Sequence, residues 1–315
     1  MTARTANGDT PAIALTRVVK RYGATVALAR LSLDVRRGEM FGLIGPDGAG
    51  KTTAIREMCG LLHADEGEVR VLGLDPVQSH RRLTERVGYL SQRFSLYGDL
   101  SIDENIAFFA EVHGVREYTK RRDQLLEMTQ LTAFRARLAD RLSGGMKQKL
   151  ALACTLVHTP DVILLDEPTT GVDPVSRREF WKLLSEFLAG GITILMSTPY
   201  LDEAERCTRV ALVHEGRVLA ADEPGRLRRL IPGRMLEVIA PADSAEVARH
   251  LPGVVDAQVF GDRIHVTLDE AADESRFRAA LETTRLAGAH VRQVQPSLED
   301  VFIAQLSASR ENVRA

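Results

Sequence analysis

The feature that most restricts this chain is the octapeptide Gly45-Pro46-Asp47-Gly48-Ala49-Gly50-Lys51-Thr52. It follows an apolar run, Met40–Ile44, that reads as a strand, and it opens a helical stretch beginning Thr52-Thr53-Ala54-Ile55. Strand, glycine-rich turn and helix at the spacing GxxxxGK[ST] form a phosphate-binding loop. The glycines let successive backbone N–H groups turn inward around an anion, and the helix aims its positive end at the same place. Lys51 is expected to reach the β- and γ-phosphates of a nucleoside triphosphate, with the Thr52 hydroxyl on Mg²⁺.

The rest of the chain reads as strands alternating with helices. Val26–Val35, Val69–Leu72, Val87–Leu90, Val162–Leu165, Ile192–Ser197 and Val210–Val213 are expected strands. Helices are expected from Thr52 to Leu62, after the capping-box sequence Ser101-Ile102-Asp103-Glu104, over the polar stretch 115–138, over Met146–His158 and over Arg177–Leu188. Continuous apolar runs flanked by helices indicate an α/β sheet covered on both faces. After Asp222-Glu223-Pro224-Gly225 the pattern changes. Leu236–Ala240, Ala245–Leu251, Val254–Phe260, Ile264–Leu268, Arg276–Leu286 and His290–Val294 read in order as βαββαβ, a ferredoxin-like arrangement with a tight turn at Gly261-Asp262. A last helix is expected over Leu298–Leu306. The organisation is therefore a polar tail over 1–11, an α/β domain over 12–225 and a small α+β domain over 226–315.

Charge and cysteines narrow the function. The formal net charge is −2, which gives no global basic field for nucleic acid. Cys59, Cys154 and Cys207 are too far apart for metal-type pairs and read as buried free thiols of a reducing compartment. No apolar run reaches the ~20 residues that span a bilayer. Any work at a membrane must therefore go through a partner.

A second turn, Leu142-Ser143-Gly144-Gly145-Met146-Lys147-Gln148, opens a strong helix. By itself it is equally a capped helix, since Ser is a common N-cap. Taken with the phosphate loop and with Val162-Ile163-Leu164-Leu165-Asp166-Glu167-Pro168, it resembles the nucleotide-binding domain of ATP-binding cassette (ABC) transporters over about residues 12–225. The fold implied is a P-loop NTPase core with antiparallel-β and helical subdomains. The resemblance implies ATP and Mg²⁺ as ligands, with Gly45, Pro46, Asp47, Gly48, Ala49, Gly50, Lys51, Thr52 and Thr53 on the phosphates. It makes Asp166 a metal-orienting carboxylate and Glu167 the general base. Gln92, ahead of Phe94-Ser95-Leu96-Tyr97, matches the glutamine that touches Mg²⁺ or the attacking water. Tyr22 matches the aromatic that stacks on adenine. Ser143, Gly144 and Gly145 match the signature that contacts ATP held by another subunit, and Asp173 in Gly171-Val172-Asp173 matches the loop that crosses the dimer interface.

One position departs from the family pattern. Where a histidine usually contacts the γ-phosphate, this chain has Pro199 in Ser197-Thr198-Pro199-Tyr200. Proline offers neither a side-chain donor nor a backbone N–H. The expectation is slow hydrolysis, or pairing with a histidine-bearing cassette. The Gly-Pro-Asp-Gly loop, Met146-Lys147-Gln148-Lys149-Leu150 and Ser197–Tyr200 resemble YbhF-like exporters that fuse two cassettes. Pro296-Ser297-Leu298-Glu299-Asp300-Val301-Phe302 resembles the tail of drug- and sodium-efflux ATPases. The resemblance implies an exporter ATPase at the cytoplasmic face of the membrane, held there by a polytopic permease docked near Gln92–Asn105. The alternatives are an importer ATPase, or a soluble cassette acting on ribosomes or DNA. The second domain, by its βαββαβ order, is unlike the barrels of many sugar importers.

Overall fold

The computed structural model describes residues 10–92 and 96–314, with side chains described up to residue 309. The expected tail up to Asp9, and Phe94-Ser95 after Gln92, lie outside the described residues. The chain divides into two compact units, Met1–Ala221 and Asp222–Ala315.

The first unit begins with β1 (Ile13–Tyr22), β2 (Thr25–Val35) and β3 (Met40–Ile44), followed by α1 (Lys51–Met58), β4 (Glu66–Val71), α2 (His80–Thr84) and β5 (Val87–Leu90). It continues through α3 (Ile102–Val112), α4 (Thr119–Met128), α5 (Gly144–Leu156), β6 (Val162–Asp166), α6 (Pro174–Ala189), β7 (Thr193–Thr198), α7 (Leu201–Ala204), β8 (Arg209–His214) and β9 (Arg217–Asp222). Two sheets result. β2, β1 and β4 form an antiparallel sheet, and the order β5-β6-β7-β3-β8-β9 forms a six-stranded sheet. From β5 to β8 every pairing is parallel. β3, β6 and β7 are buried along their whole length, as a sheet covered on both faces requires.

Several boundaries differ from the sequence reading. β1 is not expected from the pattern, because a bulge breaks its alternation: Arg17 sits at φ +50° and the register shifts on both sides of Val18. α1 stops at Met58 instead of running to Leu62. Gly60, at φ +71°, closes it with Gly60 N–H to Glu57 O and Leu61 N–H to Arg56 O. The expected helix over 115–138 shrinks to α4, which Gln130 ends in the same way at φ +59°. The capping box at Ser101 is present in both directions: Ser101 Oγ accepts from Glu104 N, and Glu104 accepts from Ser101 N.

The second unit contains α8 (Pro224–Arg228), β10 (Arg234–Ile239), α9 (Ala245–Arg249), β11 (Val254–Phe260), β12 (Arg263–Leu268), α10 (Glu274–Leu281), β13 (Val291–Val294) and α11 (Leu298–Arg314). The sheet order β11-β12-β10-β13 is wholly antiparallel and gives the ferredoxin-like topology expected from the sequence. Phe260 pairs with Arg263 across the Gly261-Asp262 turn, with Gly261 at φ +61°. Leu236, Val238, Ile264, Val266, Phe277 and Leu281 form its core.

Candidate functional site: a nucleotide cleft at the end of the parallel sheet

β3 lies between β7 and β8 and delivers the glycine loop to the carboxyl edge of the parallel sheet, the edge where open α/β sheets take ligands. Gly45 N–H donates to Thr198 O at 3.4 Å, anchoring the loop to β7. Gly50 caps α1 at φ +101°, and a Cβ there would meet Ala27 O at 2.5 Å, so the turn needs glycine twice over. Lys51 is 3% exposed. Its ammonium donates to Gly45 O at 2.8 Å and Pro46 O at 3.0 Å, and lies 3.1 Å from Glu167 Oε1.

A cleft of about 420 Å³ opens over this loop. Tyr22, Asp47, Gly48, Ala49, Gly50, Lys51, Thr52, Thr53, Gln92 and Glu167 all line it, together with Ala27, which the sequence reading did not single out. Tyr22 is 48% exposed and offers its ring to the cleft.

Beneath Lys51 the end of β6 presents two carboxylates. Asp166 Oδ1 accepts from Thr52 Oγ1 at 3.1 Å and from Ser197 Oγ at 2.7 Å. Glu167 has a positive φ, +49°, and its N–H donates to Ser197 Oγ at 3.0 Å. A non-glycine residue held there carries strain of order 1–3 kcal/mol, and the gain is orientation. Asp166 turns down onto Thr52, while Glu167 turns toward Lys51 and Gln92, whose Nε2 donates to its Oε2 at 3.0 Å. Ser197 is thus a positioning residue that the sequence reading missed. Its signal was a hydroxyl at the end of an otherwise apolar buried strand. Thr52 and Asp166 bring two hard oxygen donors together, which suits Mg²⁺.

The signature residues are elsewhere. Ser143 caps α5 by accepting from Met146 N at 3.3 Å, and Ser143 and Gly144 are exposed. Gly145 packs against Ser176 of α6 so closely that a Cβ would overlap the Ser176 hydroxyl. Asp173 caps α6, accepting from Val175 N and Ser176 N at 3.0 Å each; the Ser176 bonds lead in holding its carboxyl below the usual range. None of Ser143, Gly144, Gly145 and Asp173 lines the cleft. Pro199 follows β7 directly. Neither His158 nor His214 lines the cleft: His158 stacks on His113 at 3.9 Å, and His214 lies 3.6 Å from Glu215.

Two family models match the chain: "ABC transporter" over residues 28–170, and "ATP-binding protein DrrA1-3-like, C-terminal domain" over 223–306. The daunorubicin resistance ATP-binding protein DrrA2 of Streptomyces coeruleorubidus is 36% identical over 94% of this chain and 95% of its own length. The chain belongs to the ATP-binding subunits of ABC transporters. The probable multidrug ABC transporter ATP-binding protein YbhF of Escherichia coli is 41% identical over 90% of this chain, which spans only 50% of YbhF. Among solved structures, the dimeric MJ0796, a bacterial ABC transporter cassette, aligns over 67% of this chain and 98% of its own, at TM-score 0.59 and 27% identity. As an ABC cassette, the chain is a member of a family that hydrolyses ATP to drive transport. Among the described residues no helix is long and apolar enough to cross a membrane. The three cysteines are free and buried, as expected, and burial pushes the Cys207 thiol up to about 12.

Proposed function

We propose that this cassette is the ATPase subunit of an exporter, acting on a separate polytopic permease at the cytoplasmic face of the membrane. The observation that carries the reading is the division of the ATP machinery. Lys51, Thr52, Gln92 and Glu167 share one cleft with Asp166 beneath it, while Ser143 and Gly144 are exposed and off it. One chain therefore supplies half of each site, and a second cassette supplies the other half. That partner is another copy, or a histidine-bearing cassette. The exporter assignment draws on the relatives, since YbhF is a probable multidrug transporter ATP-binding protein and DrrA2 a daunorubicin resistance ATP-binding protein.

In this reading the triphosphate lies along the backbone N–H groups from Asp47 to Thr53, with the adenine on Tyr22. Thr52 and Asp166, joined by Gln92, would hold Mg²⁺, which neutralises developing phosphate charge when bound. Lys51 shifts from Glu167 to the β- and γ-phosphates. Glu167, released from the ammonium but still held by Gln92, accepts the proton of the attacking water. Asp173 reaches the partner at the interface.

Phosphate release by the purified chain, compared with Lys51→Ala and Glu167→Gln, tests the reading. ATP-dependent release that both substitutions abolish supports it. Release indifferent to either substitution overturns it. A permease co-purifying from detergent-solubilised membranes supports transport, and ribosomes or DNA in its place would overturn it.

A further inference from the structure

Pro199 brings no donor to its turn, yet the turn is firmly built. Thr198 Oγ1 accepts from Tyr200 N at 3.1 Å and donates to Glu203 Oε2 at 2.7 Å. Glu203 is 1% exposed, and its second oxygen, Oε1, has no hydrogen-bond partner. The charge facing that oxygen is Arg177, with Nε 3.6 Å away. The same guanidinium lies 5.0 Å over the Tyr200 ring and reaches Asp202 at 4.0 Å. A buried carboxylate is tolerable only with such a counter-charge.

Arg177 belongs to α6, one turn beyond the Asp173 that caps it. At the other end of the chain of contacts, Thr198 O accepts the N–H of Gly45, the first residue of the phosphate loop. α6 is sixteen residues long and rigid on the scale of one turn, so a displacement at Asp173 would reach Arg177, whose contact with Glu203 leads on to Thr198. Elsewhere in the family a histidine side chain would tie this turn to the phosphate. Here Pro199 cannot, and the turn depends on its flanks.

We propose that Arg177, through Glu203, is the positioning residue that couples the Asp173 turn to the Thr198-Pro199-Tyr200 turn beside the phosphate loop. It sets the rate of hydrolysis without touching ATP. This rests on the ATPase reading above.

The test uses the full chain with three measurements: mant-ATP affinity with Mg²⁺, kcat for phosphate release, and Tm. Arg177→Met should lower kcat about ten-fold while the ATP Kd stays within about two-fold, and Arg177→Lys should recover part of the rate. Arg177→Met leaves Glu203 buried and unpaired, so Tm should fall with kcat. The double variant Arg177→Met/Glu203→Gln removes the unpaired charge. It should recover Tm and leave kcat low. A kcat that returns together with Tm would show a merely structural pair and overturn the proposal, as would an unchanged kcat in Arg177→Met. Failure of the ATPase reading looks different: wild type would then bind mant-ATP no better than Lys51→Ala, and this proposal would fall with it.

Discussion

The Nζ of Lys51 lies 3.1 Å from Oε1 of Glu167, so the phosphate-loop lysine and the carboxylate at the end of β6 form one buried ion pair. Both side chains are less than a tenth exposed. In the proposed site a triphosphate entering the cleft would compete with Glu167 for the same ammonium, and Glu167 would repel the phosphate unless the lysine stood between them.

Replacing Glu167 with Gln keeps the size of the side chain and removes that competition. ATP should bind several-fold more tightly, and hydrolysis should fall by about 10²-fold or more with the proposed base gone. Nucleotide titration and phosphate release on the same preparation check both halves. Weaker binding in Glu167→Gln would mean that the ion pair does not compete with the nucleotide.

Pro199→His restores a side-chain donor after β7. Loss of a positioned charge-stabilising group commonly costs ~10²–10³ in rate. The variant should therefore hydrolyse ATP faster than wild type in isolation, by at least about ten-fold, with little change in Kd. Equal rates would mean that this donor is not what limits the chain.

Glu57, on α1, is 1% exposed, and neither carboxyl oxygen has a hydrogen-bond partner. Burial pushes it up from 4.5 to about 7; Lys20 pulls it down and Asp65 adds to the rise. The folded chain thus holds a proton that the unfolded chain gives up. The contribution is fully present below about pH 4.5 and is lost as pH rises to about 7. Glu57→Met should flatten that part of the stability–pH curve and stabilise the cassette by about 1–3 kcal/mol at pH 8. Denaturant unfolding at pH 5 and pH 8 reads the difference, and parallel curves would contradict it.

In the second unit His265 Nδ1 lies 2.7 Å from Asp300 Oδ1, joining β12 to α11. The Asp300 bond raises the His265 pKa above 6.5 against the opposing effect of burial. Burial pushes Asp300 up, and the His265 and Ser297 bonds together outweigh it. The histidine's contribution is present below pH 6.5 and is lost as pH rises through its folded value. His265→Gln should remove this dependence and loosen α11, read as faster amide exchange over Leu298–Ser309 at pH 6 but not at pH 9.

The cleft was legible in the sequence because its parts are local. The glycine loop carries its own strand and helix, and Asp166-Glu167 stand at the end of a run with one possible reading. Ser197, Ala27 and the Arg177–Glu203 pair were not legible, because each acts across the fold on residues 23 to 31 positions away. β1 was hidden by the bulge at Arg17, and the ends of α1 and α4 by positive-φ residues whose effect depends on backbone closure. The βαββαβ order of the second unit was legible in full, since its strands are short and punctuated by turns.

In the proposed mechanism one chain holds half of each ATP site. Sedimentation velocity of the Glu167→Gln chain with and without Mg-ATP tests it most directly. The expected result is a monomer that becomes a dimer with ATP, and loses that response when the exposed Ser143 is changed to Arg. ATP binding at full affinity with no second copy or partner cassette, unchanged by Ser143→Arg, would contradict it.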